Sequence, residues 1–323
     1  MDCAWAPDGL TLAAALGDGG VELVDARSSA AAVRRLGCHA MGALTLDWFS
    51  GGTTLCSSGQ DSALKFWPAA QPDSKPVTRT GRQWAGQLKR RPVGTQLASA
   101  SGRTVTIWDA HATPICQLTE QTSVIQALAW SHDGALLAAG CTGAVILYRF
   151  EGAAVQPTRL DWPGIGLKLA FSPNGRYIAA GMQDGAVRFH RLASQETAEM
   201  SGYESKVSLL GWTSNSRFLV TPSGDELIAW DFGGRGPQGR DPLRLRGHTE
   251  RITALAMHPT KSLAASAGRD WRVAVWEPGA NQVPLDVQLT TAEASALCWS
   301  GDGRRLAVGQ TNGDLAVYEL ISG

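Results

Sequence analysis

"GRDWRVAVW" (268–276) sets an Asp between an Arg and a Trp, then alternates apolar residues up to a second Trp. An alternating apolar run that leaves a Gly- and Asp-containing turn has the pattern of a β-strand on the far side of a hairpin. Just upstream, "LAMHPTK" (255–261) runs a strand into a turn, and "LAASAGRD" (263–270) is a strand of small residues. The segment thus reads as three short antiparallel strands joined by turns. Its two tryptophans can be assigned only from what stands at the same places elsewhere in the chain.

The same unit recurs along the whole sequence. The strand-then-turn pattern is found as "CAWAPDG" (3–9), "LDWFSGG" (46–52), "LAWSHDG" (128–134), "LAFSPNG" (169–175), "LGWTSNS" (210–216), "LAMHPTK" (255–261) and "LCWSGDG" (297–303), with a degenerate "LKRRPVG" (88–94) in the one gap. Its key residue falls at Trp5, Trp48, Arg90, Trp130, Phe171, Trp212, Met257 and Trp299, in steps of 43, 42, 40, 41, 41, 45 and 42. A second ladder closes the third strand at Val24, Trp67, Trp108, Tyr148, His190, Trp230, Trp276 and Tyr318, in steps of 43, 41, 40, 42, 40, 46 and 42. Pro-Asp-Gly, Pro-Asn-Gly and Asp-Gly supply hairpin chemistry. A looser fourth strand follows, as in "AVRRL" (32–36), "PICQL" (114–118) and "PLRLR" (242–246).

A four-stranded repeat of this length is a propeller blade, and one blade cannot bury both its faces alone. The expected fold is therefore all-β. A single domain over residues 1–323 forms an eight-bladed β-propeller of four-stranded antiparallel blades, with a last blade that is three-stranded if nothing completes it. The chain starts inside the first strand of repeat 1 and stops at the third strand of repeat 8. Two readings follow: an N-terminal piece is lacking, or the edge from Leu315 to Tyr318 stays open to strand addition by a partner.

Bulk composition narrows the class. The 29 Lys+Arg balance 29 Asp+Glu, which argues against a nucleic-acid arm or a general membrane-surface patch. The six cysteines, Cys3, Cys38, Cys56, Cys116, Cys141 and Cys298, form no C-x-x-C pair and no metal-ligand spacing with a His. They read as reduced, buried thiols of a cytoplasmic protein. No apolar run reaches the roughly 18 residues of a membrane span. "LTLAAALG" (10–17) lacks the positively charged start of a secretory signal, since Asp2 and Asp8 precede it.

The repeats resemble the WD-repeat β-propeller family over essentially the whole chain. Trp-Asp endings stand at Trp108–Asp109 and Trp230–Asp231, with Trp276–Glu277 a near miss, and Gly-His elements stand at Gly247–His248 and, stretched by one residue, at Gly37–His39. The resemblance implies a hydrogen-bonded tetrad of His, Ser, Asp and Trp within a blade. Two repeats match it with identical spacing: His39, Ser57, Asp61 and Trp67, and His248, Ser266, Asp270 and Trp276. Trp162 and Tyr203 take the His position in other repeats. A Ser-His-Asp set also invites a catalytic triad. Two copies at one place in a repeat, with the Ser in mid-strand, indicate a structural device instead.

No phosphate loop, H-E-x-x-H or G-x-S-x-G motif is present. No catalytic residue, cofactor or metal site is expected. The family resemblance implies a non-catalytic scaffold or adaptor that docks a protein or peptide on its rim. The alternative is an enzyme or a small-ligand or metal binder using the central channel. The resemblance also implies which positions of each repeat face that rim, and, carried over by counting, these are Trp84, Lys206, Arg251, Arg269, Gln60, Gln183 and Glu293, with Trp271 a second aromatic at a turn. Trp84, Arg251 and Arg269 are of the types that dominate interface hot spots. Lys206, Arg251 and Arg269 form a basic arc suited to an acidic or phosphorylated peptide. Trp84 has a second reading, packing sideways on the neighbouring repeat. The insertions "GGRGPQGRDP" (233–242) and "AAQPDSKP" (69–76) read as solvated hairpin loops. Within 268–276, Asp270 and Trp276 belong to the fold, and Arg269 and Trp271 are free to specify a partner.

Overall fold

The computed structural model describes residues 2–27, 32–69, 71, 74–152 and 154–320. The insertion at 69–76 therefore lies partly outside the described residues. Apart from one short 3-10 turn at Ser50–Gly52, the regular structure among them is all strand.

Repeat 7 shows how sequence becomes sheet. Its strands Ile252–Met257, Ala264–Gly268, Arg272–Trp276 and Asp286–Leu289 are hydrogen-bonded in that order, each antiparallel to the next. The second strand is nearly all small residues, because a neighbouring sheet lies close on either side. Ala264, Ala265 and Ala267 are fully buried. The third strand alternates between the two neighbours. Val273 packs with Leu306 and Val308 of repeat 8, while Ala274 and Trp276 pack with Val220 and Leu227 of repeat 6. Period-two patterning with both faces apolar is what radial stacking requires. Burying a side chain such as that of Trp276, 1% exposed, stabilises this packing by roughly 2–3 kcal/mol.

The propeller has seven blades, not the eight expected from the repeat count. The strands assemble into seven sheets: five of four strands, one of six and, last, one of three. The six-stranded sheet carries the strands of both repeat 4 and repeat 5. Its segment Leu136–Glu151 holds the second and third strands of repeat 4 and folds back at Gly143 (φ 81°), which brings the Phe150 N–H to the Ala135 carbonyl at 2.9 Å. Its next segment, Ala154–Phe171, is the outer strand of repeat 4 and, past a bend at Gly164 (φ 91°), the inner strand of repeat 5. Elsewhere a loop separates one repeat's outer strand from the next repeat's inner strand. The ladders count sequence units, and they carry no information about whether consecutive units share a hydrogen-bonded sheet.

The key aromatic of the first ladder has a defined task. Its indole N–H reaches back to the inner-strand carbonyl of the preceding repeat: Trp48 to Ala4 at 3.0 Å, Trp130 to Lys89 at 3.1 Å, Trp212 to Ala170 at 3.2 Å and Trp299 to Ala256 at 3.3 Å. Trp5 makes the same bond to the Cys298 carbonyl at 3.0 Å, and this joins the first repeat to the last. Cys3, Trp5, Leu12 and Val24 share one buried cluster with Ala296 and Ala307 across that seam. The ring therefore closes through its inner strands. Among the described residues, the third strand of the last sheet, Leu315–Glu319, has no further partner strand.

Candidate functional site

The two tetrads fix the turns from which the rim projects. In repeat 7, His248 Nδ1 lies 3.0 Å from Asp270 Oδ1, its Nε2 lies 2.7 Å from Ser266 Oγ, and the Trp276 indole donates to the same Oγ at 2.7 Å. In repeat 2 the corresponding distances are 2.9 Å for His39–Asp61, 2.9 Å for His39–Ser57 and 2.8 Å for Trp67–Ser57. Each network ties two strands, the turn between them and the segment that follows the preceding repeat's outer strand, with each of its side chains hydrogen-bonded. Burial pushes the Asp61 and Asp270 carboxyls up. The backbone N–H of Ala40 or Thr249, the histidine ring and a second N–H outweigh it, so both sit below the ordinary carboxylate range. Burial holds His39 below the ordinary histidine range, partly offset by Asp61. The Ser, His and Asp of each set are engaged with one another inside the blade.

Other repeats fill the same places differently. Tyr203 lies 2.5 Å from Thr221 Oγ1 and accepts the Trp230 indole N–H at 2.8 Å, a tyrosine version of the tetrad. Trp108 donates to Ser99 at 2.8 Å without a histidine. Trp162 is buried with its indole nitrogen unpartnered. The sequence placed Tyr203 and Trp162 at the His position; which of them bonds was legible only in the structure.

The turn between the second and third strands holds one residue per repeat in the left-handed region: Gly19, Ser62, Gly102, Gly143, Gly185, Gly224, Trp271 and Gly313. Glycine takes that conformation freely, whereas a bulky side chain is strained there by roughly 1–2 kcal/mol. Trp271 has φ 60° and is 53% exposed. Its carbonyl is clamped by the Thr290 N–H at 2.9 Å. Nothing in the packing requires an indole at this place.

The expected rim residues fall into two groups. Arg251, Arg269, Trp271 and Glu293 are contiguous. The Arg269 N–H donates to the Arg251 carbonyl at 2.9 Å, and its guanidinium lies 3.6 Å from Glu293. Lys206 and Arg251 line one shallow depression with Ser205, Ser208 and Pro222. Gln60 and Gln183 stand elsewhere on the ring. The bond from the Gln60 N–H to Gly42, like that from Gln183 to Ile165, repeats the Arg269–Arg251 bond at 2.9 Å, so all three turns have one orientation in their repeats. Trp84 precedes the inner strand Ala85–Arg90 and is 54% exposed, so its ring is not packed away on the neighbouring repeat.

The inner strands carry charged groups that the sequence reading did not gather. Asp2 accepts the Thr45 hydroxyl at 2.6 Å and the Leu46 N–H at 3.2 Å, and Asp47 accepts the Arg90 N–H at 2.9 Å. Each carboxylate thus binds the backbone of the following repeat. Lys168 is brought down to about 8, by repulsion from Lys89 first and by burial second, with Asp2 opposing. Burial raises Asp47, with Lys89 opposing. A scan for polar residues at fixed repeat offsets would have found Asp2, Asp47, Lys89 and Lys168.

Comparison with known families agrees with this geometry. The model described as "WD domain, G-beta repeat" matches residues 112–149 and 240–277, and the second of these stretches contains the whole repeat 7 tetrad. The model described as "Anaphase-promoting complex subunit 4 WD40 domain" matches residues 143–215. The chain belongs to the WD-repeat β-propeller family.

Among the curated relatives of this WD-repeat propeller is the WD repeat-containing protein slp1 of Schizosaccharomyces pombe. It is 24% identical over 220 residues, 65% of this chain and 43% of the relative. The Anaphase-promoting complex subunit cdc20 of Dictyostelium discoideum is 25% identical over 237 residues, 70% of this chain and 47% of the relative. Protein TOPLESS-RELATED PROTEIN 2 of Oryza sativa subsp. japonica is 22% identical over 288 residues, 84% of this chain and 23% of the relative. The matched stretch thus spans less than half the length of each. None of the three is named for a catalytic activity.

Proposed function

We propose that this WD-repeat propeller is a non-catalytic interaction scaffold. It docks an acidic or phosphorylated peptide segment of a partner protein on the rim formed by Lys206, Arg251, Arg269 and Trp271. The observation that carries this reading is Trp271, a half-exposed indole held at φ 60° where six of the other repeats use glycine. A strained, exposed aromatic retained beside an arginine pair has the composition of a hot spot rather than of a turn. Carboxylate or phosphate groups on the peptide would bridge Arg251 and Lys206 in their shared depression. Glu293, facing Arg269, disfavours acidic residues at that end and gives the peptide a direction.

The test is direct binding of fluorescein-labelled acidic peptide pools, with and without phosphoserine, followed by anisotropy. Binding to the wild type that is lost in Arg251→Glu and weakened at least tenfold in Trp271→Gly supports the reading. Equal binding by both variants removes it.

The last sheet favours a second mode of docking. The Leu320 N–H donates inward to Arg304, so strand alternation directs the N–H groups of Val317 and Glu319 to the outer edge, which has no partner strand among the described residues. Beside that edge lies a cleft of about 630 Å³, lined by Val24, Val33, Arg305, Leu315 and Val317 among others. An extended partner segment would add there as a fourth strand. Val317→Pro removes one edge donor and would abolish such pairing while leaving peptide binding at Trp271 intact.

A further inference from the structure

We propose that Cys3 and Cys298 form an oxidisable dithiol that closes the propeller ring covalently. The two cysteines stand on the inner strands Asp2–Trp5 and Ala294–Trp299, which meet where the first repeat joins the last. Their sulfurs lie 2.9 Å apart, although 295 residues separate them in sequence. No other pair of cysteine sulfurs is in contact among the described residues, and all six thiols are free in this structure. Both sulfurs sit beside the apolar cluster of Trp5, Leu12, Ala296 and Ala307, which holds them facing each other. Among the described residues the other side-chain bonds across this seam are few. They include Trp5 to the Cys298 carbonyl and Arg305 to the Gly9 carbonyl, each at 3.0 Å. The same last sheet ends in an unpaired strand, so no outer strand of this chain reinforces the junction among the described residues.

The reaction takes hydrogen peroxide, small enough to reach a mostly buried thiol, as its oxidant. One thiolate attacks the peroxide O–O bond, giving a sulfenic acid and hydroxide, which is protonated to water. The second sulfur then attacks the sulfenic sulfur. An S–S bond forms, the S–OH bond breaks and a second water leaves. Two S–H bonds are lost, and the electron pair goes to the peroxide. Burial raises the Cys298 thiol well above its ordinary value, with the neighbouring Cys3 and Asp2 adding to it. The thiolate is therefore scarce at neutral pH, and the pair responds to sustained rather than brief oxidation. Cross-linking positions so far apart in sequence restricts the unfolded chain strongly.

The experiment uses the full chain with Cys38→Ser, which removes the exposed thiol from side reactions. Protein is incubated with excess hydrogen peroxide at mildly alkaline pH and then examined by non-reducing intact mass, peptide mapping and thermal melting. The expected result is a loss of about 2 Da, a cross-linked Cys3–Cys298 peptide and a melting temperature raised by about 5 °C or more. Reductant should reverse all three changes. Cys3→Ala and Cys298→Ala, each in the same background, should show none of them. An unchanged mass, a cross-link between other cysteines, or oxygen added to Cys3 or Cys298 without a cross-link would overturn the proposal.

Discussion

Asp270 and Trp271 share a peptide bond and have opposite environments. The Asp270 side chain is 3% exposed and bonded to His248, whereas Trp271 stands 53% exposed on the turn that Asp270 anchors. One side chain holds the turn in place and the next is presented by it. A buried network lends its rigidity to an exposed aromatic, which lowers the entropy cost of using that aromatic for binding.

Trp271→Gly is expected to stabilise the fold by about 1 kcal/mol, because glycine relieves the left-handed strain. The same change should weaken docking. Denaturant midpoints and peptide anisotropy on one preparation check both directions. A variant less stable than wild type would mean that the indole packs usefully and that the strain argument is wrong.

Ser266→Ala removes the acceptor of the Trp276 indole and the partner of His248 Nε2 together. The loss should be about 2–3 kcal/mol, since two buried groups are orphaned. Gly268→Ala should behave similarly, because a Cβ there would lie 2.7 Å from Asp270 Oδ1 and 3.0 Å from His248 Nδ1. Urea unfolding curves measure each. Losses below half a kcal/mol would show that the tetrad is dispensable.

Trp5→Phe keeps most of the apolar area and removes only the bond to the Cys298 carbonyl, a cost of about 1 kcal/mol. If that seam is the weakest in the ring, amide exchange in Asp2–Trp5 and Ala294–Trp299 should rise before exchange elsewhere. Trp48→Phe, which breaks the corresponding bond to Ala4, serves as the comparison. Equal exchange at the two seams would contradict the prediction.

Acid should destabilise the protein in two stages. Burial holds His39, His190 and His258 below the ordinary value of 6.5, so the unfolded chain binds protons that the folded chain refuses. Stability therefore falls as pH drops below about 6.5 and levels off once the folded values are passed. Asp61 and Asp270, held below their ordinary value, add a second loss as pH falls below about 4 and through their folded values. Melting temperatures from pH 8 to pH 3 test this. A rise on going from pH 7 to pH 5.5 would contradict the first stage.

The sequence by itself determined the strand pattern, the repeat and the tetrad positions. These rest on periods of two and of about 42 residues, and periodicity is a local property of the chain. It also separated Trp276 from Trp271, because one lies on a ladder and the other does not. Tertiary structure decided what no single repeat encodes. Whether repeats 4 and 5 share a sheet depends on one segment, Ala154–Phe171, pairing with both of them on either side of its bend at Gly164. Whether Trp84 packs or projects, and whether Tyr203 or Trp162 finds a partner, depends on the neighbouring repeat. The meeting of Cys3 with Cys298 is set by ring closure, which brings the two ends of the sequence side by side and leaves no trace in the spacing of either.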